Sequence, residues 1–139
     1  MYNPDKRAGA EFGPAANAVD ASTSSVWDVT VPVDNDPLGV GLVIDLGALY
    51  TLRSLTISTP TSGFDVELYA AKGKKLPPDV LDRRWDHLTD RANYADGTSI
   101  SLKGRADGKV RFINLWFAEA ADAKDPRVAI GNVKVFGTK

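Results

Sequence analysis

The sequence predicts an all-β chain, an antiparallel β-sandwich of jelly-roll type with at most one short helix. Apolar residues alternate with a period of two in several separate segments, and turn residues stand between those segments. Only one stretch has the composition of a helix start. About eight short strands separated by turns pack naturally as two antiparallel layers.

Residues 1–14 are expected to be a loose lead-in rich in Gly, Ala, Pro and Asn, and the sandwich is assigned to 15–139, with order beginning near Ala18. "SVWDVTVPV" (25–33) has a β-rich composition, and Pro32 confines it to an edge or a strand end. After the polar turn "DNDPLG", the segment "GVGLVIDLG" (39–47) places Val40, Leu42, Ile44 and Leu46 on one dry face. By the same count "TLRSLTIST" (51–59) aligns Leu55 with Ile57, and "FDVELYA" (64–70) aligns Phe64, Val66, Leu68 and Ala70.

"PPDVLDRRW" (77–85) is the one candidate helix, since paired prolines can start a turn that Asp79, Leu81 and Arg83 tolerate. "ADGTSISLKG" and "RADGKVRFINLWFAEA" each carry an Asp-Gly pair beside alternating residues, a signal for a tight turn between antiparallel strands. In "VRFINLWFA" both alternating sets are apolar, so this strand is expected to be central and covered on both sides. "RVAIGNVKVFG" shifts phase between Ile130 and Val133, which predicts a bulge at Gly131 and Asn132.

The length of 139 residues fits one domain, with 43% hydrophobic and 25% charged side chains. Seventeen basic against eighteen acidic groups leave a net charge of −1, which argues against nucleic acid or an anionic membrane as partner. No apolar run reaches the roughly 18–20 residues needed to cross a bilayer, so any membrane attachment is expected through an anchor outside this chain. Cysteine is absent, which excludes disulfides and thiol catalysis.

Catalytic parts are not legible. His87, the sole histidine, lies among charged neighbours in "RWDHLTD", where a solvated surface role is expected. Neither a Gly-x-Ser-x-Gly elbow nor a His-Glu-x-x-His motif occurs. The pairs Asp34 with Asp36 and Asp122 with Asp125 sit in turn-like segments, where solvated acids are the default. The chain is therefore expected not to be an enzyme. Binding calls for exposed aromatics and orienting polar groups, and the loop candidates are Trp85, Tyr94, Phe12 and Tyr2. Trp85 and Tyr94 are the nominated stacking residues, with Arg83 and Asn93 as orienting donors. The competing expectation is a strand whose Trp packs inward and whose charges face water. Trp27 and Trp116 fall on strands and are expected in the core.

The order "AVDASTSSVWDV", "GVGLVIDLGALYTLRSLTIST", "FDVELYAA", "RFINLWFAEA" and "AIGNVKVFG" resembles the discoidin, or coagulation factor five/eight type C, group of galactose-binding-like sandwiches. Within that group it is most similar to exported C-terminal domains of actinobacterial serine/threonine kinases and MviN (MurJ-like) peptidoglycan-precursor flippases. The resemblance implies ligand contacts on the loops at one end, here including 20–25, 34–38 and 60–63. In many relatives a structural calcium sits where this chain has Asp20 and Asn132. With Ala21 in place of the family's Gly and Asn132 in place of an acid, such a site loses a carboxylate, and little or no calcium binding is expected. No other cofactor is implied.

Together these features point to a non-catalytic extracellular module of a bacterial cell-envelope protein. Its expected ligand is a carbohydrate or peptidoglycan-related cell-wall fragment. The alternative is a module that docks on another envelope protein without sugar affinity.

Overall fold

A computed structural model describes residues 11–12, 27–30, 40–78, 82–119 and 127–139. Among the described residues nine strands run in order: β1 (Glu11–Phe12), β2 (Trp27–Thr30), β3 (Val40–Ser58), β4 (Asp65–Ala71), β5 (Asp86–Asn93), β6 (Ser99–Ser101), β7 (Val110–Glu119), β8 (Arg127–Ile130) and β9 (Asn132–Thr138). All their pairings are antiparallel. One sheet has the order β1-β2-β8; the other has the order β5-β4-β7-β3-β6, with β9 also on β3. Among the described residues there is no helix. Residues 82–85 of the expected helix form a turn instead, and Asp79 and Leu81 lie outside the described residues. Glu11–Phe12, from the stretch expected to be a lead-in, pair with Thr30 and Val29.

β3 is the corner of the molecule. The segments expected as two strands form one strand of 19 residues, whose first half pairs with β7 and whose second half pairs with β9 and β6. Register slips between Asp45 and Tyr50, around Gly47 at φ 79°, where a glycine adopts the left-handed backbone without a Cβ penalty. Asp45 holds the bend. Its Oδ1 accepts from Gly47 N–H at 2.8 Å, and its two oxygens take Arg111 Nε and Nη2 at 2.8 and 2.9 Å. Arg111 first, then the Gly47 amide, lowers the Asp45 carboxyl to about 2.

The core follows the alternation. Phe64, Val66, Leu68 and Ala70 are all buried, as are Leu42, Leu55 and Ile57. Ile44 and Leu46 are only partly buried but pack on the same cluster. β7 sits between β4 and β3 and is buried on both faces from Phe112 to Phe117, as its two apolar sets require. Ile113, Leu115 and Phe117 join the main core with Trp27. Phe112 and Trp116 point the other way into a second cluster with Ala71 and Trp85. Trp116 is thus buried as expected, but on the opposite face of the layer from Trp27.

Two turn expectations need correction. Gly97 and Gly108 take positive φ (75° and 81°) as Asp-Gly turns demand, yet neither turn closes a hairpin. β5 pairs with β4, β6 with β3, and β7 with both β3 and β4, so the two turns carry the chain between non-neighbours. The phase shift at Gly131 has a related cause: β8 pairs with β2 while β9 pairs with β3, and the chain changes sheet at that residue. Gly131 N–H donates to Ser58 O at 2.7 Å as it crosses.

Candidate functional site

The four nominated ligand residues do not converge. Arg83 and Trp85 precede β5 and Asn93 and Tyr94 end it, so eight residues of extended strand, roughly 25 Å, separate the pairs. Trp85 is 6% exposed within the second cluster, and its ring offers no open face to a sugar. Tyr94 is 3% exposed and packs on Phe64 at a ring separation of 5.7 Å. Its hydroxyl accepts Ile57 N–H at 2.8 Å and lies 2.6 Å from Thr98 O and 3.1 Å from Ile57 O. Burial pushes its phenol pKa upward. Tyr94 is therefore a staple between β3 and the 95–98 turn, not a stacking platform.

Asn93 is exposed, but its amide donates to Gly63 O and, at 3.3 Å, to Asp65 Oδ1, so its donors serve the loop. Arg83 is exposed on the turn. Asn132 is 7% exposed at the sheet-crossing point, opposite Ser58. Asp20, the loops 20–25 and 34–38, Tyr2 and the paired acids lie outside the described residues, as does the Phe12 side chain. No group of three or more potential metal-ligating side chains occurs among the described residues.

Two hollows are geometrically relevant to ligand uptake. The first, of about 280 Å³, lies at the 60–63 loop between Ser58, Thr59, Pro60, Asp96 and Gly131. Its polar groups largely satisfy one another: Thr59 N–H donates to Asp96 Oδ1 at 2.8 Å, Asp96 N–H to Ser62 Oγ at 2.9 Å, and Thr59 Oγ1 to Ala129 O at 2.5 Å. The second is a cleft of about 380 Å³ between β5 and β6, the two ends of the five-strand path β5-β4-β7-β3-β6. Val66, Tyr94 and Ile100 give it apolar lining, while Thr89, Asp90, Asn93, Thr98 and Ser99 give it polar walls. Among the described residues each flanking strand is paired on one side only, so backbone donors and acceptors border the cleft as well.

On the outer face of β4 and β5 stands a cluster that the sequence reading did not single out. Glu67 Oε2 accepts the Tyr69 hydroxyl at 3.1 Å and lies 3.2 Å from His87 Nε2, while Oε1 lies 3.5 Å from Arg91 Nε. Tyr69 packs against the His87 ring at 5.1 Å. Desolvation, then the Glu67 charge, raises the Tyr69 phenol to about 12. A signal existed, because the alternation that buries Val66 and Leu68 must turn Glu67 and Tyr69 outward.

Comparison with solved structures bears on the fold. The chain matches a pectin-binding carbohydrate-binding module with a TM-score of 0.66 and 10% identity, covering 91% of this chain and 88% of that one. The chain has the fold of these modules. A CBM32 module of AlyQ in complex with 4,5-unsaturated mannuronic acid matches over 93% of this chain and 94% of its own, with a TM-score of 0.65 and 11% identity. A family 89 glycoside hydrolase from Clostridium perfringens also matches, at TM-score 0.65 and 16% identity, but this chain spans only 14% of its length. No family model matches the sequence, and no curated protein does.

Proposed function

We propose that this chain is a non-catalytic carbohydrate-binding module that holds a glycan in the cleft between β5 and β6. The carrying observation is the cleft itself, where apolar lining beneath polar walls suits a sugar ring that is apolar on one face and rimmed with hydroxyls. The fold shared with a pectin-binding module and a mannuronate-binding module supports the same reading. The likeness of the segment order to exported envelope domains favours a place in the bacterial cell envelope and a glycan of peptidoglycan or its precursors.

Affinity is expected to be weak, near 0.1–1 mM or about −5.5 to −4 kcal/mol, because an open cleft buries little of a sugar and must order its side chains. Titration of peptidoglycan fragments and simple hexoses against isotopically labelled protein tests this. Saturable amide shifts at Thr98, Ser99 and Ile100 are the expected result. If no glycan moves any amide at several millimolar while an envelope protein does, the module docks on protein instead.

A further inference from the structure

We infer that the outer face of β4 and β5 is a second glycan contact, built on Tyr69, His87, Asp90 and Arg91, and selective for neutral hexopyranosides over uronates. It rests on the carbohydrate-binding reading; Asp90 borders both places, but Tyr69, His87 and Arg91 do not line the cleft.

Two bulges assemble the patch. Ala70 faces Asp86 and Tyr69 faces His87, but Leu68 faces Thr89 and Val66 faces Ala92, so β5 carries two more residues than β4 over this span. Bulges re-aim side chains. Here they bring Arg91 within reach of Glu67, whose partner His87 lies four residues earlier on the same strand. The Leu68 N–H is met by the Thr89 hydroxyl at 3.1 Å, so the irregular ladder leaves that donor satisfied.

Glu67 is the hub. Its side chain is 16% exposed and fixes the Tyr69 hydroxyl, the His87 ring and the Arg91 guanidinium at once. Those groups remain reachable, with His87 and Arg91 44% and 50% exposed and Asp90 fully so. An aromatic ring held in place beside a donor and an acceptor is what the CH face and hydroxyls of a pyranose require, and fixing it beforehand lowers the ordering cost of binding. Charge sets the selectivity. Two carboxylates, Glu67 and Asp90, flank the His87 ring, and Arg91 already faces one of them, so a sugar carboxylate meets net repulsion that a neutral sugar avoids.

His87 is the only histidine, which makes its ring signals an isolated reporter. Methyl hexopyranosides and their oligosaccharides are titrated against labelled protein in parallel with the matching uronates. The expected result is a saturable movement of the His87 ring signals with the neutral sugars, and binding of the uronates at least about tenfold weaker. Arg91→Ala, an exposed substitution, should lower the affinity about fivefold or more with the amide spectrum outside β4 and β5 unchanged. Shifts confined to Thr98, Ser99 and Ile100, or uronates binding as well as neutral sugars, overturn this inference and leave the cleft reading standing. No shift anywhere with any glycan overturns both.

Discussion

The two faces of the β4–β7 layer are made by the same strands and solve different problems. The inner face presents Val66, Leu68, Ala70, Ile113, Leu115 and Phe117, all apolar and at most 3% exposed. The outer face interleaves Tyr69, Phe112 and Trp116 with Glu67 and Asn114, and it keeps one amide in an unusual state. Asn114 is fully buried, and among the described residues neither its nitrogen nor its oxygen has a hydrogen-bond partner. The contrast teaches that period-two patterning secures one face, while the other is free to carry polar groups at some cost in stability.

The largest expected effect belongs to the inner face. Phe117 meets Trp27 and Phe64 at ring separations of 5.6 and 5.4 Å, and Phe117→Ala should cost about 3–5 kcal/mol in urea unfolding. Leu42→Ala should cost about 2–5 kcal/mol by the same mechanism, and a loss below about 0.5 kcal/mol at either site would erase the distinction between the faces. Tyr94→Phe comes next, at about 1–3 kcal/mol, because it removes the acceptor of the buried Ile57 N–H. Glycan affinity should not change with it, since the hydroxyl serves the fold.

Asn114→Leu sharpens the comparison from the other side. Replacing an orphaned amide by an apolar group of similar size should change stability by about 1 kcal/mol or less, toward stabilisation. A loss above about 2 kcal/mol would mean that the amide is satisfied after all. The smallest effect is alkaline. Tyr69 ionises near 12 in the folded chain and near 10 when unfolded, so its contribution to stability is fully present below pH 10 and is lost as pH rises through 12. Ultraviolet titration should show a late phenolate phase that Tyr69→Phe removes.

The inner face was legible because burial on one side of a strand leaves an alternating record, as in Phe64, Val66, Leu68 and Ala70. Tyr94 was not, since its partner Ile57 is 37 residues away and no local spacing encodes that bond. For Trp85 the charged neighbours allow both a stacking platform and a ring packed inward, and the structure has the second, with the covering residues Ala71, Phe112 and Trp116 supplied by β4 and β7. The meeting of Glu67 with Arg91 depends on two bulges whose presence a count of residues cannot reveal, and the cleft depends on which strands end the sheet path. Sequence spacing describes a strand, whereas these sites are made between strands.

The corner strand also governs how the chain can reach this state. The first half of β3 pairs with β7 and its second half with β9 and β6, and β9 lies some 80 residues downstream, at the far end of the described chain. The pairing of Thr51–Ser58 with β9 cannot form while that late segment is still unplaced. Folding must therefore await long loop closures and should take milliseconds to seconds, as for other chains dominated by distant pairings. A protein truncated before Asn132 would bare the β9-facing edge of β3 along Thr51–Ser58, since β6 occupies the opposite edge, and that edge is the place where two such fragments would pair.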